Sequence, residues 1–154
     1  MRREHRRFLI ADELIGAAIV NFLLNCGIAW FFTRGRPSVA ASAVASDTIA
    51  TAFVLPVLTA LVAWPLVHIQ VARGRLPRLS PAELGAWSRR HSLVRGAAVG
   101  VVLMLLVAWP ALHFAAELPT ARFIWVKGLI AASLGAFATP LIGWWALQHS
   151  SRVT

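Results

Sequence analysis

The chain has 154 residues, 58% of them hydrophobic, and its mean hydropathy of +0.70 exceeds what the core of a soluble domain of this length requires. This composition excludes an ordinary soluble domain and predicts an integral membrane protein. The formal net charge of +9 does not indicate a nucleic-acid partner, because the arginines gather at the ends of apolar runs rather than along one polar face.

Four apolar runs are each long enough to cross a bilayer, whose hydrocarbon core of ~30 Å takes about 20 helical residues. They cover residues 14–33, 48–69, 94–116 and 121–147. The first run begins close to acidic residues and lacks a small-residue cleavage site, so we expect it to be retained rather than removed as a signal peptide. The sequence therefore predicts an all-α polytopic membrane protein in which residues 1–154 form one domain of four transmembrane helices.

The arginines predict how these helices are oriented. They are concentrated in the first seven residues and in the connection at 73–92, whereas the connections after the first and third runs hold few. The positive-inside rule therefore places both termini and the second connection in the cytoplasm. We expect a protein of the bacterial inner membrane whose basic rim attracts anionic lipids.

The first run contains two asparagines, Asn21 and Asn25, near the middle of the predicted span. They lie four residues apart and therefore share one face of a helix. An unpaired amide is costly in hydrocarbon, so both side chains must face protein or water. They either form hydrogen bonds to other helices or line a solute path. Asp12 and Glu13, which precede the run, are expected to form ion pairs with arginines at the cytoplasmic rim.

The second and fourth runs add further polar residues. Thr51 and Thr59 share one broad face of the second run, and Asp47 lies where this helix needs an N-cap, so capping is favoured over a functional carboxylate. Lys127 lies within the fourth run, where a charge is a functional candidate. It can instead extend to the headgroups or pair with Asp47. Six residues are thus candidates for lining a path: Asn21, Asn25, Asp47, Thr51, Thr59 and Lys127.

The connection between the second and third runs contains a capping box. Ser80 and Glu83 have the required spacing, and Pro81 occupies the first helical position. A helix is therefore predicted to begin here. It either lies in the membrane interface or extends the third transmembrane helix.

Two sequence similarities suggest an internal duplication. Residues 15–24 (IGAAIVNFLL) resemble residues 95–104 (RGAAVGVVLM) at an offset of 80, and residues 52–58 (AFVLPVL) resemble residues 136–142 (AFATPLI) at an offset of 84. The predicted hairpins cover 8–72 and 93–148 and run in the same direction, so their two-fold axis would follow the membrane normal. Chance similarity is the alternative. Asn21 and Asn25 match Val101 and Leu105, so the amides belong to one hairpin only.

Small residues recur at helical spacing in the third and fourth runs. Close backbone approach holds transmembrane helices together, so these positions are predicted to be contact sites. They either pack the helices of one chain or form the seam of a homo-oligomer. The glycines concerned are Gly96, Gly100, Gly128, Gly135 and Gly143.

Motifs for metal binding and catalysis are absent from the sequence. Cys26 is the only cysteine, and there is no HExxH, no G-x-S-x-G, no phosphate-binding loop and no intramembrane pair of carboxylates. We therefore expect no metal, no cofactor and no enzyme. Two functions remain: a small permease or channel-like protein with a polar path between its helices, or an accessory or scaffold subunit of a larger membrane complex.

Overall fold

A computed structural model describes residues 3–80, 84 and 92–153, apart from the side chains at 3, 4, 12, 92, 93 and 153. Pro81 and Glu83 of the predicted capping box lie outside the described residues. Within them, four helices are long and apolar enough to cross a membrane, as predicted. The first span consists of α1 (Arg3–Arg7), a π-helix (Phe8–Gly16) and α2 (Ala17–Thr33), and the second, third and fourth spans are α3 (Ala41–Ala72), α4 (Ser92–Phe114) and α5 (Thr120–Val153). Helices result because a lipid-exposed backbone must satisfy its own hydrogen bonds.

The second span begins earlier than predicted. It starts at Ala41, and the preceding Ala40 makes no side-chain capping bond. Asp47 lies inside the helix, so its predicted role as the N-cap is wrong. Half of the residues from 41 to 46 are alanine, the strongest helix former, which allows the helix to extend past Asp47 toward the connection.

A short antiparallel strand pair closes one end of the bundle, which we call the strand end. β1 (Ser38–Val39) pairs with β2 (Leu118–Pro119), and the Thr120 hydroxyl donates to the Arg36 carbonyl at 2.6 Å. These contacts join the two connections at this end. Gly35, with a φ of 82°, allows the chain to turn directly after the first span.

The opposite end holds both termini and the second connection, and we call it the termini end. His5 is fully buried, and its Nε2 lies 2.8 Å from the Pro77 carbonyl oxygen. The backbone N–H of Leu79 donates to Oγ of Ser151 at 3.1 Å. The start of the first span and the end of the fourth are therefore both fastened to the connection that follows the second span.

The spans do not pack in chain order. The first span packs on the fourth, the fourth on the second and the second on the third, whereas the first and second make almost no direct contact among the described residues. The spans therefore pack side by side in the order first, fourth, second, third. If the first span is exchanged with the third and the second with the fourth, the same order results, read from the other end. It is the order expected from two hairpins related by a two-fold axis between the second and fourth spans.

The third span lies against the second through its two glycines. A Cβ at Gly96 would overlap that of Ala60, and a Cβ at Gly100 would lie 2.8 Å from the Phe53 carbonyl oxygen. Neither partner can rotate away, because one is a methyl carbon and the other is backbone. Only glycine therefore permits the backbones of these two spans to come this close.

The fourth span lies against the first through its three glycines. Gly128 contacts Cys26, Gly135 contacts Asn21, and a Cβ at Gly143 would lie 2.8 Å from Cδ of Glu13. The five glycines could either pack the helices of one chain or form the seam of a homo-oligomer, and here each of them contacts another span of the same chain. Polar side chains of the first span therefore pack against glycines of the fourth span.

Candidate functional site

A cavity of about 790 Å³ lies between the first and second spans, and the fourth span forms its base. It exists because the first and second spans both pack on the fourth span rather than on each other. Several of its apolar lining residues, including Val20 and Leu58, are more than half exposed. The cavity is therefore a cleft that opens at the side of the bundle, where lipid would lie.

Polar side chains from three spans meet in this cleft. Five of the six predicted path residues line it, and two polar residues that were not among those candidates join them. The predicted residues are Asn21, Asn25, Thr51, Thr59 and Lys127, and the additional ones are Glu13 and Thr139. Asp47 is not part of the lining but contacts Lys127.

The two asparagines occupy the same side of the first span, as their spacing requires. Nδ2 of Asn25 donates to the backbone carbonyl of Asn21 at 2.9 Å, and the Asn21 carboxamide lies against Gly135. Among the described residues, neither carboxamide has a hydrogen bond to another span. Both retain hydrogen-bonding capacity toward the cleft.

Lys127 and Asp47 form an ion pair between the fourth and second spans. The Lys127 side chain is 9% exposed and that of Asp47 is 30% exposed. Two charges withdrawn from water are tolerated only when each compensates the other, and this pair satisfies that condition.

Glu13 lies farther into the bundle than the sequence analysis expected. It belongs to the π-helix, a rare geometry that is frequent at functional sites. Its half-buried carboxyl group lies against Gly143 and lines the cleft. The sequence contains a signal for this placement: Glu13, Ala17, Asn21 and Asn25 follow one another at intervals of four and therefore share a helical face.

Thr139 lines the cleft, and its hydroxyl group is buried without a hydrogen-bond partner within the described part of the chain. A threonine within a helix can donate to the carbonyl four residues earlier, as Thr33 does to Ala29 at 2.7 Å and Thr48 does to Val44 at 2.8 Å. Thr139 is 7% exposed, and its Oγ1 has no hydrogen-bond partner among the described residues. A buried hydroxyl without a partner is costly.

Neither a metal centre nor a related protein defines the chemistry of the cleft. Within the described ranges, no three or more His, Cys, Asp or Glu side chains lie together in a way that could hold a metal ion. No family model, curated protein or solved structure matches the chain. The function must therefore be inferred from the geometry of the cleft.

Proposed function

We propose that the protein is a small membrane permease that moves a small solute along the cleft between the first and second spans. One observation carries this proposal: polar side chains from three spans follow one another along a single cavity. From Asn25 to Glu13 they cover about 18 Å of the first span, at 1.5 Å per residue. A solute that moves along the cleft would therefore meet one hydrogen-bonding group after another.

The size of the cleft supports a small molecule as the occupant. Its volume of about 790 Å³ is within the range of small-molecule sites, roughly 300–1,000 Å³.

The accessory or scaffold role remains the second candidate because the cleft opens at its side. A helix from another chain, or a second copy of this one, would cover its exposed apolar residues. Purification in mild detergent separates the two candidates. A permease is expected as a monomer or symmetric oligomer, whereas a scaffold subunit is expected to retain unrelated chains.

We also propose that the protein lies in the bacterial inner membrane with the termini end in the cytoplasm. Six exposed arginines among the described residues support this orientation: Arg6, Arg7, Arg73, Arg75, Arg78 and Arg152. The exposed arginines at the strand end are Arg34, Arg36 and Arg122.

Cysteine labelling tests the orientation. In a Cys26→Ser background, a membrane-impermeant maleimide added to intact cells should modify Arg36→Cys at the strand end. Arg75→Cys should react only after the membrane is permeabilised, because the second connection faces the cytoplasm. The opposite labelling pattern would contradict the proposed orientation.

Replacing both asparagines tests the path itself. Proteoliposomes that contain the protein are incubated with a mixture of small amines, amino acids, sugars and carboxylates, and uptake is quantified by mass spectrometry. We expect Asn21→Leu with Asn25→Leu to reduce uptake of the transported solute at least about tenfold, because this change removes two polar steps from the cleft. Thermal unfolding in detergent checks that the variant is folded.

The duplication provides a matched control. Val101 and Leu105 correspond to the two asparagines in the third span and lie outside the cleft, so Val101→Leu with Leu105→Ile should leave uptake unchanged. Uptake at the wild-type rate by the asparagine variant would exclude the cleft as the path. No uptake of any solute by the wild-type protein would favour the scaffold role.

A further inference from the structure

We propose that the cleft binds an uncharged amphiphile whose polar part both donates and accepts hydrogen bonds, such as a molecule with a carboxamide head and an alkyl chain. This inference rests on the proposed function, because it names the class of solute that the cleft would move. Four side chains form the binding site, which we call the neutral subsite: Asn21 and Asn25 of the first span and Thr51 and Thr59 of the second. All four are half-buried and line the cleft.

The polar atoms of the neutral subsite are open to the cleft. Among the described side chains, those with a polar atom enclosed without a hydrogen-bond partner include Thr139 but none of the four subsite residues. The two hydroxyl groups are also uncommitted. Thr48 of the same span donates to the Val44 carbonyl at 2.8 Å. Thr51 and Thr59 form no such bond to a described residue, so their hydroxyl groups remain available to a ligand.

The two carboxamides supply most of the hydrogen-bonding capacity. Nδ2 of Asn25 uses one of its two N–H groups for the backbone carbonyl of Asn21, which leaves the other N–H and Oδ1. A carboxamide carries two N–H donors and an accepting oxygen, and a hydroxyl group both donates and accepts. The subsite therefore suits a ligand that offers donors and acceptors together, as a carboxamide does.

The packing on the fourth span places Asn25 and Thr51 opposite each other. Asn21 lies against Gly135, and the first and fourth spans run antiparallel along this contact. One helical turn nearer the strand end, Asn25 is therefore level with Ala131. Ala131 belongs to one buried cluster with the alanine that follows Thr51. The two subsite residues are thus at about the same depth on opposite walls of the cleft, where one polar group can contact both.

The charged side chains that line the cleft are already engaged. Lys127 forms its ion pair with Asp47, and Glu13 has an interaction partner of its own. An ionic ligand would have to leave water without a free counter-charge to receive it, which is costly inside a membrane. A neutral ligand loses only its hydrogen bonds to water, and the neutral subsite replaces them.

The remainder of the cleft suits the apolar portion of such a molecule. From Asn25 and Thr51 toward the termini end, the walls include Val20 of the first span and Val62 and Leu66 of the second. Each of these three side chains is more than half exposed, so an alkyl chain can lie against them. The open side of the cleft allows a molecule of this kind to enter from the lipid.

Calorimetry with three six-carbon compounds tests the assignment. Wild-type protein in nanodiscs is titrated at neutral pH with hexanamide, hexylamine or hexanoate, and titrations of empty nanodiscs are subtracted. Hexanamide should bind at least about tenfold more tightly than the other two, because it alone carries no charge into the cleft. If either ion binds as tightly as hexanamide, the proposal is overturned.

Two variants locate the binding site. Asn25→Leu and Thr51→Val remove hydrogen-bonding groups with little change in side-chain size, and each should weaken hexanamide binding about threefold to tenfold. The control for the threonine is Thr48→Val, because that hydroxyl group is bonded to Val44 and does not line the cleft. The control for the asparagine is Gln70→Leu, a half-buried carboxamide of the second span outside the cleft. Both controls should bind hexanamide within about twofold of wild type.

Removing a counter-charge tests why ions are excluded. Asp47→Asn leaves Lys127 without its partner at the wall of the cleft, so hexanoate affinity should rise about tenfold while hexanamide affinity changes by less than about threefold. Unchanged hexanoate affinity would contradict the exclusion of anions by this ion pair. Thermal unfolding in detergent checks that the variant is folded, and the variants at Asn25 and Thr51 test the subsite independently of it.

The results also separate this inference from the proposed function. If the double asparagine variant loses uptake of a charged solute while hexanamide does not bind, the neutral assignment is wrong and the permease proposal stands. If hexanamide binds through Asn25 and Thr51 but no solute is transported, the subsite stands and the permease proposal is wrong. Unchanged hexanamide affinity in both subsite variants would show that the amide binds elsewhere.

Discussion

Lys127→Met is expected to lower the free energy of unfolding by about 3 kcal/mol. The substitution leaves the Asp47 carboxylate without its partner inside the bundle, and breaking a buried ion pair from one side costs about 3–5 kcal/mol. We expect the lower end of that range because Asp47 retains 30% of its side-chain exposure. Denaturation in mixed detergent micelles, followed by tryptophan fluorescence, measures the change.

Three further variants make the ion-pair experiment specific. Asp47→Leu combined with Lys127→Met removes both charges and should restore most of the lost stability, because no unpaired charge remains. Exchanging the residues, with Asp47→Lys and Lys127→Asp, should also restore it in part. Arg122→Met removes an exposed charge from the same span and should change stability by less than about 0.5 kcal/mol. If Lys127→Met behaves like Arg122→Met, the ion pair does not stabilise the bundle.

Gly96→Ala combined with Gly100→Ala should detach the third span from the second. The added methyl groups would overlap Ala60 and approach the Phe53 carbonyl oxygen, so the two backbones would have to move apart. Overpacking costs about 1–3 kcal/mol per site, which predicts a total loss of roughly 2–6 kcal/mol. The same unfolding assay measures this loss, and proteolysis of the second connection provides an independent readout.

Gly27→Ala provides the matched control for the glycine experiment. No atom lies within 4 Å of a Cβ built at Gly27, so alanine fits there without contact. Alanine also has a higher helix propensity by about 1 kcal/mol, and the variant should therefore be as stable as wild type or slightly more stable. A double variant at Gly96 and Gly100 with the stability of Gly27→Ala would contradict the close approach of the second and third spans.

Hydropathy predicted the four spans because transfer into lipid is largely a property of the side chains themselves. A run such as residues 94–116 is apolar whichever helix it packs against, and the structure has a helix there, at Ser92–Phe114. Helix ends depend more on their surroundings. Asp47 resembled a cap in the sequence, but the strand pair and the alanines before it place the start of the helix at Ala41.

The sequence predicted some residues of the candidate site and missed others. A residue was predicted where its side chain stands out from its sequence context. Asn21, Asn25 and Lys127 are conspicuous because polar groups are costly in an apolar run, and all three line the cleft. Glu13 lies at the beginning of such a run, where a charge costs little, so it was assigned to the rim. Thr139 lies between Gly135 and Gly143 among the small residues of the fourth span, and nothing in its sequence context distinguishes a bonded hydroxyl from an unpaired one.

The sequence by itself determined the number of spans, the faces that carry polar residues and the glycine positions where helices meet. These follow from the cost of placing each side chain in hydrocarbon and from the periodicity of the helix. Only the tertiary structure decided that the first span packs on the fourth rather than on the second. That choice depends on shape complementarity between distant residues, such as Asn21 against Gly135, and it is what opens the cleft.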